Sequence, residues 1–228
     1  MKKSILISVI AIFAAFGLSA QENQSLPRFI YDVGLGTSVL PGFRNNLSPW
    51  GVHYRDNFNR GFGYYAQASY IFQRGVFRGT SLGFKFSEFG FTGNYTLASG
   101  ERVAENIGIR YFAPQFGWVR FTSPRILITT SLGIGYARYQ SEGLLNDTAY
   151  SVRSHMLGSN VNLSLAYSFN ALRGNNAAGI KLSNFNAHNR NGRQHREIGG
   201  ETSTVRMDEM NQIFLSRIDF SLFWRVSF

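Results

Sequence analysis

Apolar and polar residues alternate with a period of two over stretch after stretch of this chain. The alternation is plainest in RIDFSLFWRVSF, where Ile218, Phe220, Leu222, Trp224, Val226 and Phe228 share one parity and Arg217, Asp219, Ser221, Arg225 and Ser227 the other, Phe223 excepted. A strand of this kind has one face in an apolar medium and one in a polar medium. The same rule puts Phe29, Tyr31, Val33, Leu35 and Val39 on the apolar face of a first strand, and Phe62, Tyr64, Ala66, Ala68, Tyr70 and Phe72 on that of a second. In SLGFKFSEFGF the apolar parity runs through Leu82, Phe84 and Phe86 and then changes to Phe89 and Phe91, which predicts a β-bulge near Ser87 and turns Glu88 to the polar side. A fourth strand, interrupted by Pro114, places Ile107, Ile109, Tyr111, Val119 and Phe121 on the apolar face and Arg110 and Arg120 on the polar one. Ile126, Ile128, Leu132, Ile134 and Tyr136 mark a fifth, Val161, Leu163, Leu165, Tyr167 and Phe169 a sixth, and Ile180 and Leu182, against Lys181 and Ser183, a seventh.

The connections sort by length. Short turns such as QRGVFRGT, TSPR and NALRGNNA follow strands two, four and six, whereas long polar segments around Trp50, Tyr95, Leu145 and Arg193 follow the odd-numbered strands. A transmembrane β-barrel has this layout because its two hairpin ends face different compartments, and aromatic residues gather at both ends of its apolar band. The expected fold is all-β: a closed, antiparallel, eight-stranded transmembrane up-and-down β-barrel, with both termini in the periplasm. Closure is what satisfies every backbone polar group in lipid.

Composition narrows the setting. MKKSILISVIAIFAAFGLSA carries two lysines, an apolar run and small residues before QENQ, so residues 1–20 read as a cleaved signal peptide and 21–228 as one barrel domain. There is no Cys, so neither disulfides nor a lipid-modified amino-terminal cysteine is expected. The formal charge of +10 becomes +8 once Lys2 and Lys3 leave with the signal. Arg74, Arg78, Arg125 and Arg173 lie in the short turns, where they can meet lipid phosphates, so the basic balance suits an anionic membrane surface and not a nucleic acid.

With strand count, loop sorting and the ending SLFWRVSF in view, the chain resembles the small eight-stranded bacterial outer-membrane β-barrel proteins, the group of outer-membrane protein A and its X- and W-type relatives. The resemblance implies residence in the outer membrane of a Gram-negative bacterium, among outer-membrane lipids and lipopolysaccharide. It also implies that Phe228, with Val226, Trp224, Leu222 and Phe220 upstream, acts as the signal read by the barrel-assembly machinery.

An eight-stranded barrel is filled by its own side chains. The predicted lumen charges are Lys85, Arg110, Arg120, Lys181, Arg217 and Arg225 against Asp32, Glu88 and Asp219, an ion-pair network with a surplus of cations. Catalytic chemistry is not assembled: a deacylase resembling the outer-membrane acyloxyacyl hydrolases needs a His two residues before a Ser, and none of His53, His155, His188 and His195 supplies it. His188, Asn184 and Asn186 form the one polar cluster on an apolar face. No metal-ligand spacing or phosphate-binding loop is present, and no cofactor is implied. The expected function is non-enzymatic: a structural or interaction role through long external loops, or as a subunit of a larger outer-membrane assembly. Behind it stand a lipid A-modifying enzyme and, third, a narrow channel for small solutes.

If Phe228 is an address, its deletion lowers the amount of inserted barrel in cells while refolding in detergent stays nearly intact, because one interfacial side chain contributes only about 1.5–3 kcal/mol. Quantifying the heat-modifiable band from membranes and from refolding reactions checks this; equal loss in both would make the terminal Phe merely structural.

Overall fold

In the computed structural model the described residues are 26–45, 58, 60–96, 100–169, 176–189, 193–206 and 213–228. The expected signal peptide, the loop around Trp50 and the Arg173 turn lie outside them. Ten strands are formed among the described residues: β1 (Phe29–Asn45), β2 (Gly61–Ile71), β3 (Thr80–Thr96), β4 (Arg102–Ser123), β5 (Ile126–Leu145), β6 (Thr148–Ser168), β7 (Asn176–Asn189), β8 (Arg193–Ile198), β9 (Glu201–Arg206) and β10 (Ile213–Ser227). Neighbours pair antiparallel from β1 through β7, β7 pairs with β10, and β10 returns to β1. That ring is a closed eight-stranded barrel. β8 and β9 form an extra hairpin on the upper part of β6, where Tyr150–Ser154 pair with Gln194–Ile198.

Pairing register fixes the tilt. From Val33, paired residues run round the wall through Ala66, Phe86, Phe112, Tyr136, Leu157, His188 and Phe214 and meet β1 again at Arg44, eleven residues further on. Strands so staggered must lean against the barrel axis, as closure requires.

The outward positions carry an apolar band in which Val33, Leu35, Phe62, Leu82, Phe84, Phe112, Ile134, Leu163 and Leu222 are exposed. In a water-soluble protein such a wall would be an interaction patch of unusual size; around a closed barrel it is the surface that lipid covers. Tyr31, Phe29, Tyr70, Phe169, Trp224 and Phe228 edge it near the short turns, with ring contacts such as Phe169–Trp224 and Tyr31–Phe228.

Two sequence expectations are corrected. β3 has no bulge: its pairing with β2 and β4 is continuous, so Glu88 stays on the outer wall and Phe89 and Phe91 point inward, both buried. In β4 the parity is the reverse of that expected. Ile107, Ile109, Tyr111 and Val119 are buried inside, while Arg110 and Arg120 lie on the outer side with Phe112, Pro114, Phe116 and Trp118. The physical reason is common to both. Within the band the outside is apolar and the inside polar, but beyond it the wall meets water and the interior becomes a hydrophobic core. The strand keeps its pleat while the polarity of its two faces exchanges.

That upper core joins Phe89, Phe91, Ile107, Ile109, Tyr111, Tyr139, Val152, Met156, Phe185 and Leu215 with Leu40 and Phe58. A second core near the short turns joins Ile30, Tyr65, Ile71, Val119, Leu127, Ala166 and Phe223. The segment around Leu145 is likewise not a loose loop: β5 and β6 continue as a hairpin to a two-residue turn, Asn146–Asp147, with φ of 43° and 67°, the twist a tight hairpin favours.

Phe89→Ala removes a ring from the upper core and is expected to lower the stability of the refolded barrel by about 3–5 kcal/mol. Glu88→Ala, on the outer wall, should change it by less than about 1 kcal/mol. Urea unfolding followed by tryptophan fluorescence measures both; the reverse ranking would restore the bulged register.

Candidate functional site

Between the two apolar cores lies a polar layer made by inward residues of all eight barrel strands. Its placement follows from the sequence: Asp32, Lys85, Lys181, Arg217, Asp219 and Arg225 are buried on the inward parity of β1, β3, β7 and β10. Six of the nine expected lumen charges therefore come together. Glu88, Arg110 and Arg120 do not join them.

Asp32 and Arg225 form a two-pronged ion pair, Nε to Oδ1 and Nη2 to Oδ2 both at 2.7 Å, and Arg225 Nη1 also donates to Thr129 Oγ1 at 3.1 Å. Arg217 Nε lies 2.7 Å from Asp219 Oδ1, while the aligned hydrogen bond runs from Nη2 to Oδ2 at 3.0 Å. Ser38 Oγ donates to the same carboxylate at 2.7 Å. The Arg217 guanidinium is clamped between the rings of Phe89 and Phe185, 4.2 and 4.6 Å from their centroids, so cation–π attraction adds to the ion pair.

The surplus cations are the two lysines, and neutral oxygens meet them. Lys85 Nζ donates to Asn162 Oδ1 at 2.7 Å and to Ser183 Oγ at 3.3 Å; Lys181 Nζ donates to Gln67 Oε1 and stands 4.0 Å from the Tyr65 ring centroid. Amide oxygens and a ring face replace the carboxylates that sequence reasoning sought. A further patch ties Tyr111, Gln115, Ser131, Asn160 and Asn162 together, with Tyr111 Oη donating to Asn160 Oδ1 at 2.8 Å. Gln67, Asn160, Asn162 and Ser183 alternate with apolar residues in the sequence and so stand on the polar parity of their strands, but the pattern does not encode which oxygen meets which ammonium.

On the outer wall, Arg110 Nε donates to Glu88 Oε1 at 2.8 Å and Tyr64 Oη to Glu88 Oε2 at 3.0 Å. Asn184, Asn186 and His188 do share the outer face of β7, where Asn186 Nδ2 donates to Asn184 Oδ1 at 2.6 Å and His188 lies between Leu157 and Phe214 of the neighbouring strands. No carboxylate is paired with His188 among the described residues. Nor do three His, Asp or Glu side chains gather there in a metal-binding group.

No protein-family model matches the chain, and neither does any curated protein. Among solved structures it is similar to the outer membrane protease OmpT from Escherichia coli, with a TM-score of 0.50 and 8% identity over 92% of this chain and 100% of that one. It is also similar to a major outer membrane protein from Thermus thermophilus, with a TM-score of 0.51 and 13% identity over 88% of this chain and 99% of the other. At these identities the likeness is one of fold, that of a bacterial outer-membrane β-barrel.

Breaking the Asp32–Arg225 pair by Arg225→Leu leaves a buried carboxylate and is expected to cost about 3–5 kcal/mol. Lys85→Met should cost under about 1 kcal/mol, since Asn162 Oδ1 still accepts from Ser183 Oγ at 2.7 Å. Urea midpoints of the refolded variants check this; equal losses would mean that Lys85 has a charged partner.

Proposed function

We propose that the chain is a non-enzymatic, integral outer-membrane barrel whose long-loop end, outside the cell, is a rigid interaction platform. The observation that carries this reading is the continuation of β3, β4, β5 and β6 beyond the apolar band around a hydrophobic core of their own. The β8–β9 hairpin widens the same sheet. An extension held only by solvated loops would need no buried Ile107, Ile109, Val152 and Met156. A packed core beyond the membrane presents a surface of fixed shape, which lowers the ordering cost of binding a partner.

The filled interior supports the same reading over a solute channel, because two apolar cores and a hydrogen-bonded polar layer lie in series along the axis. The lipid A-modifying alternative would need a nucleophile and an oriented base; His188 has apolar neighbours, and His155 is engaged by Tyr136 Oη.

Cysteine at Asn146, in the β5–β6 turn, is expected to react with an impermeant reagent in intact cells, whereas cysteine at Val76, in the turn after β2, reacts only after the outer membrane is opened. The opposite pattern overturns the orientation. In mild detergent the barrel should co-purify with a stoichiometric companion that is lost when Gln194–Val205 is replaced by a short turn while the barrel's gel shift persists. A barrel that always runs alone would sink the interaction role.

A further inference from the structure

The upper sheet ends in an open edge. In the strand order β9 is terminal: it pairs with β8 over all six of its residues, and among the described residues no strand pairs with its other side. Such an edge presents a row of unpaired backbone groups, which proteins ordinarily blunt with lysine, proline, a bulge or a covering segment. β9 holds neither Lys nor Pro, its pairing with β8 has no bulge, and every residue from Glu201 to Arg206 is exposed except Val205, which is half-buried. Thr202, Thr204 and Val205 are β-branched, which suits an extended strand.

The hairpin that carries this edge is held in place. Gly199 and Gly200, with φ of 57° and 87°, make a two-residue turn of the kind that strand twist favours, and Gly199 N donates to Ala149 O at 3.0 Å. Such a turn makes Ile198 and Glu201 a hydrogen-bonded pair. By alternation the backbones of Glu201, Ser203 and Val205 then face β8, and those of Thr202, Thr204 and Arg206 face away from it. The same register places the side chains. Arg206 stands directly opposite Arg193 in a non-hydrogen-bonded pair, where side chains are closest, and like charges so placed repel. Neither has a carboxylate partner among the described residues. Glu197, on the same face, lies between Ser151 of β6 and Thr202. The other face carries Val205, packed against the upper core.

We propose that β9 takes up an extended segment of another protein as an added antiparallel strand, with a carboxylate opposite Arg206, a basic residue opposite Thr202 and apolar residues opposite Ser203 and Val205. The carboxylate answers the repulsion between Arg193 and Arg206, and the basic residue reaches over Thr202 towards Glu197. The outward backbone groups of Thr202, Thr204 and Arg206 supply the main-chain bonds, and the apolar side chains continue the face of Val205. A second copy in the same membrane stands the same way up, so its β9 does not run antiparallel to this one. The proposal rests on the reading of the long-loop end as an interaction platform and names the kind of partner that platform takes.

The test uses the full mature chain refolded in nonionic detergent and a terminally blocked, fluorescein-labelled peptide, SEVTVKS, with binding read by anisotropy. Saturable binding is expected. Thr204→Pro removes an outward N–H while leaving the bonds to β8, and should abolish it. Thr204→Val loses the hydroxyl that meets His195 Nδ1 at 3.0 Å but keeps the N–H, and should hold affinity within about twofold. The charge-exchanged peptide SKVTVES should bind about tenfold more weakly, because the pair at Arg206 becomes repulsive, and Arg206→Glu should reverse the preference between the two peptides. No binding by the wild-type barrel, equal affinity for both peptides, or full affinity in Thr204→Pro overturns the proposal. So does a barrel dimer that Thr204→Pro dissolves, by giving the edge to a second copy. Should Thr204→Pro lose the gel shift of the folded barrel, the reversed preference of Arg206→Glu carries the test. Peptide binding needs no cellular companion, so the two readings fail differently. A barrel that runs alone in mild detergent yet binds SEVTVKS loses the platform and keeps the edge; a companion that depends on the hairpin but survives Thr204→Pro keeps the platform and loses the edge.

Discussion

Backbone amides and carbonyls cannot be left unpaired in lipid, and the pairing of the first barrel strand with the last meets that constraint here. Every other feature hangs from this seam. Arg28 N and Phe29 N both donate to Phe228 O, at 2.6 and 3.1 Å, and Phe228 N donates to Phe29 O at 3.0 Å, so the seam is bonded down to the final residue. Its side chains are stapled as well, for Asp32 and Arg225 are direct cross-strand partners, as are Ser38 and Asp219. A shift of one residue along the seam would separate both pairs. The buried charges thus act on register first, a use for which buried ion pairs are suited even when their net stabilisation is small.

Closure with eight strands makes a narrow barrel, and a narrow barrel must be packed. The packing is divided by height. Next to the lipid band the inside is a layer of charges, amides and hydroxyls; above and below, it is apolar. Where the wall is exposed to lipid, hydrophobic free energy is gained on the outside, and where it is exposed to water, the gain lies on the inside. Each long strand changes from one regime to the other without changing its pleat. The long-loop end therefore stands as a small folded body on a membrane-embedded stem.

This division leaves two places for function: the surface of the upper body, and the outer wall where stem and body meet. The fold by itself does not choose between them, since a protease and a major outer membrane protein share it with this chain. The charges at that junction belong to neither regime. Glu88, Arg110 and Arg138 stand on the outer face of β3, β4 and β5, away from the lumen network, with Glu88 and Arg110 paired to each other.

The amino-acid sequence by itself did not show the β8–β9 hairpin or the tight β5–β6 turn, but it determined the eight barrel strands and the facing of seven of them across the lipid band, because a period of two next to lipid is a local signal that each residue carries alone. It likewise placed Asp32, Lys85, Lys181, Arg217, Asp219 and Arg225 inside. Tertiary structure alone decided the side of Glu88, Arg110 and Arg120, because an apolar residue such as Phe89 or Ile109 suits both lipid and a hydrophobic core, and only its height on the tilted wall tells which one it meets. It also decided the partners of Lys85 and Lys181, since amide oxygens from β6 and β2 reach them across the lumen, and no spacing along the chain encodes a contact between strands that are not neighbours.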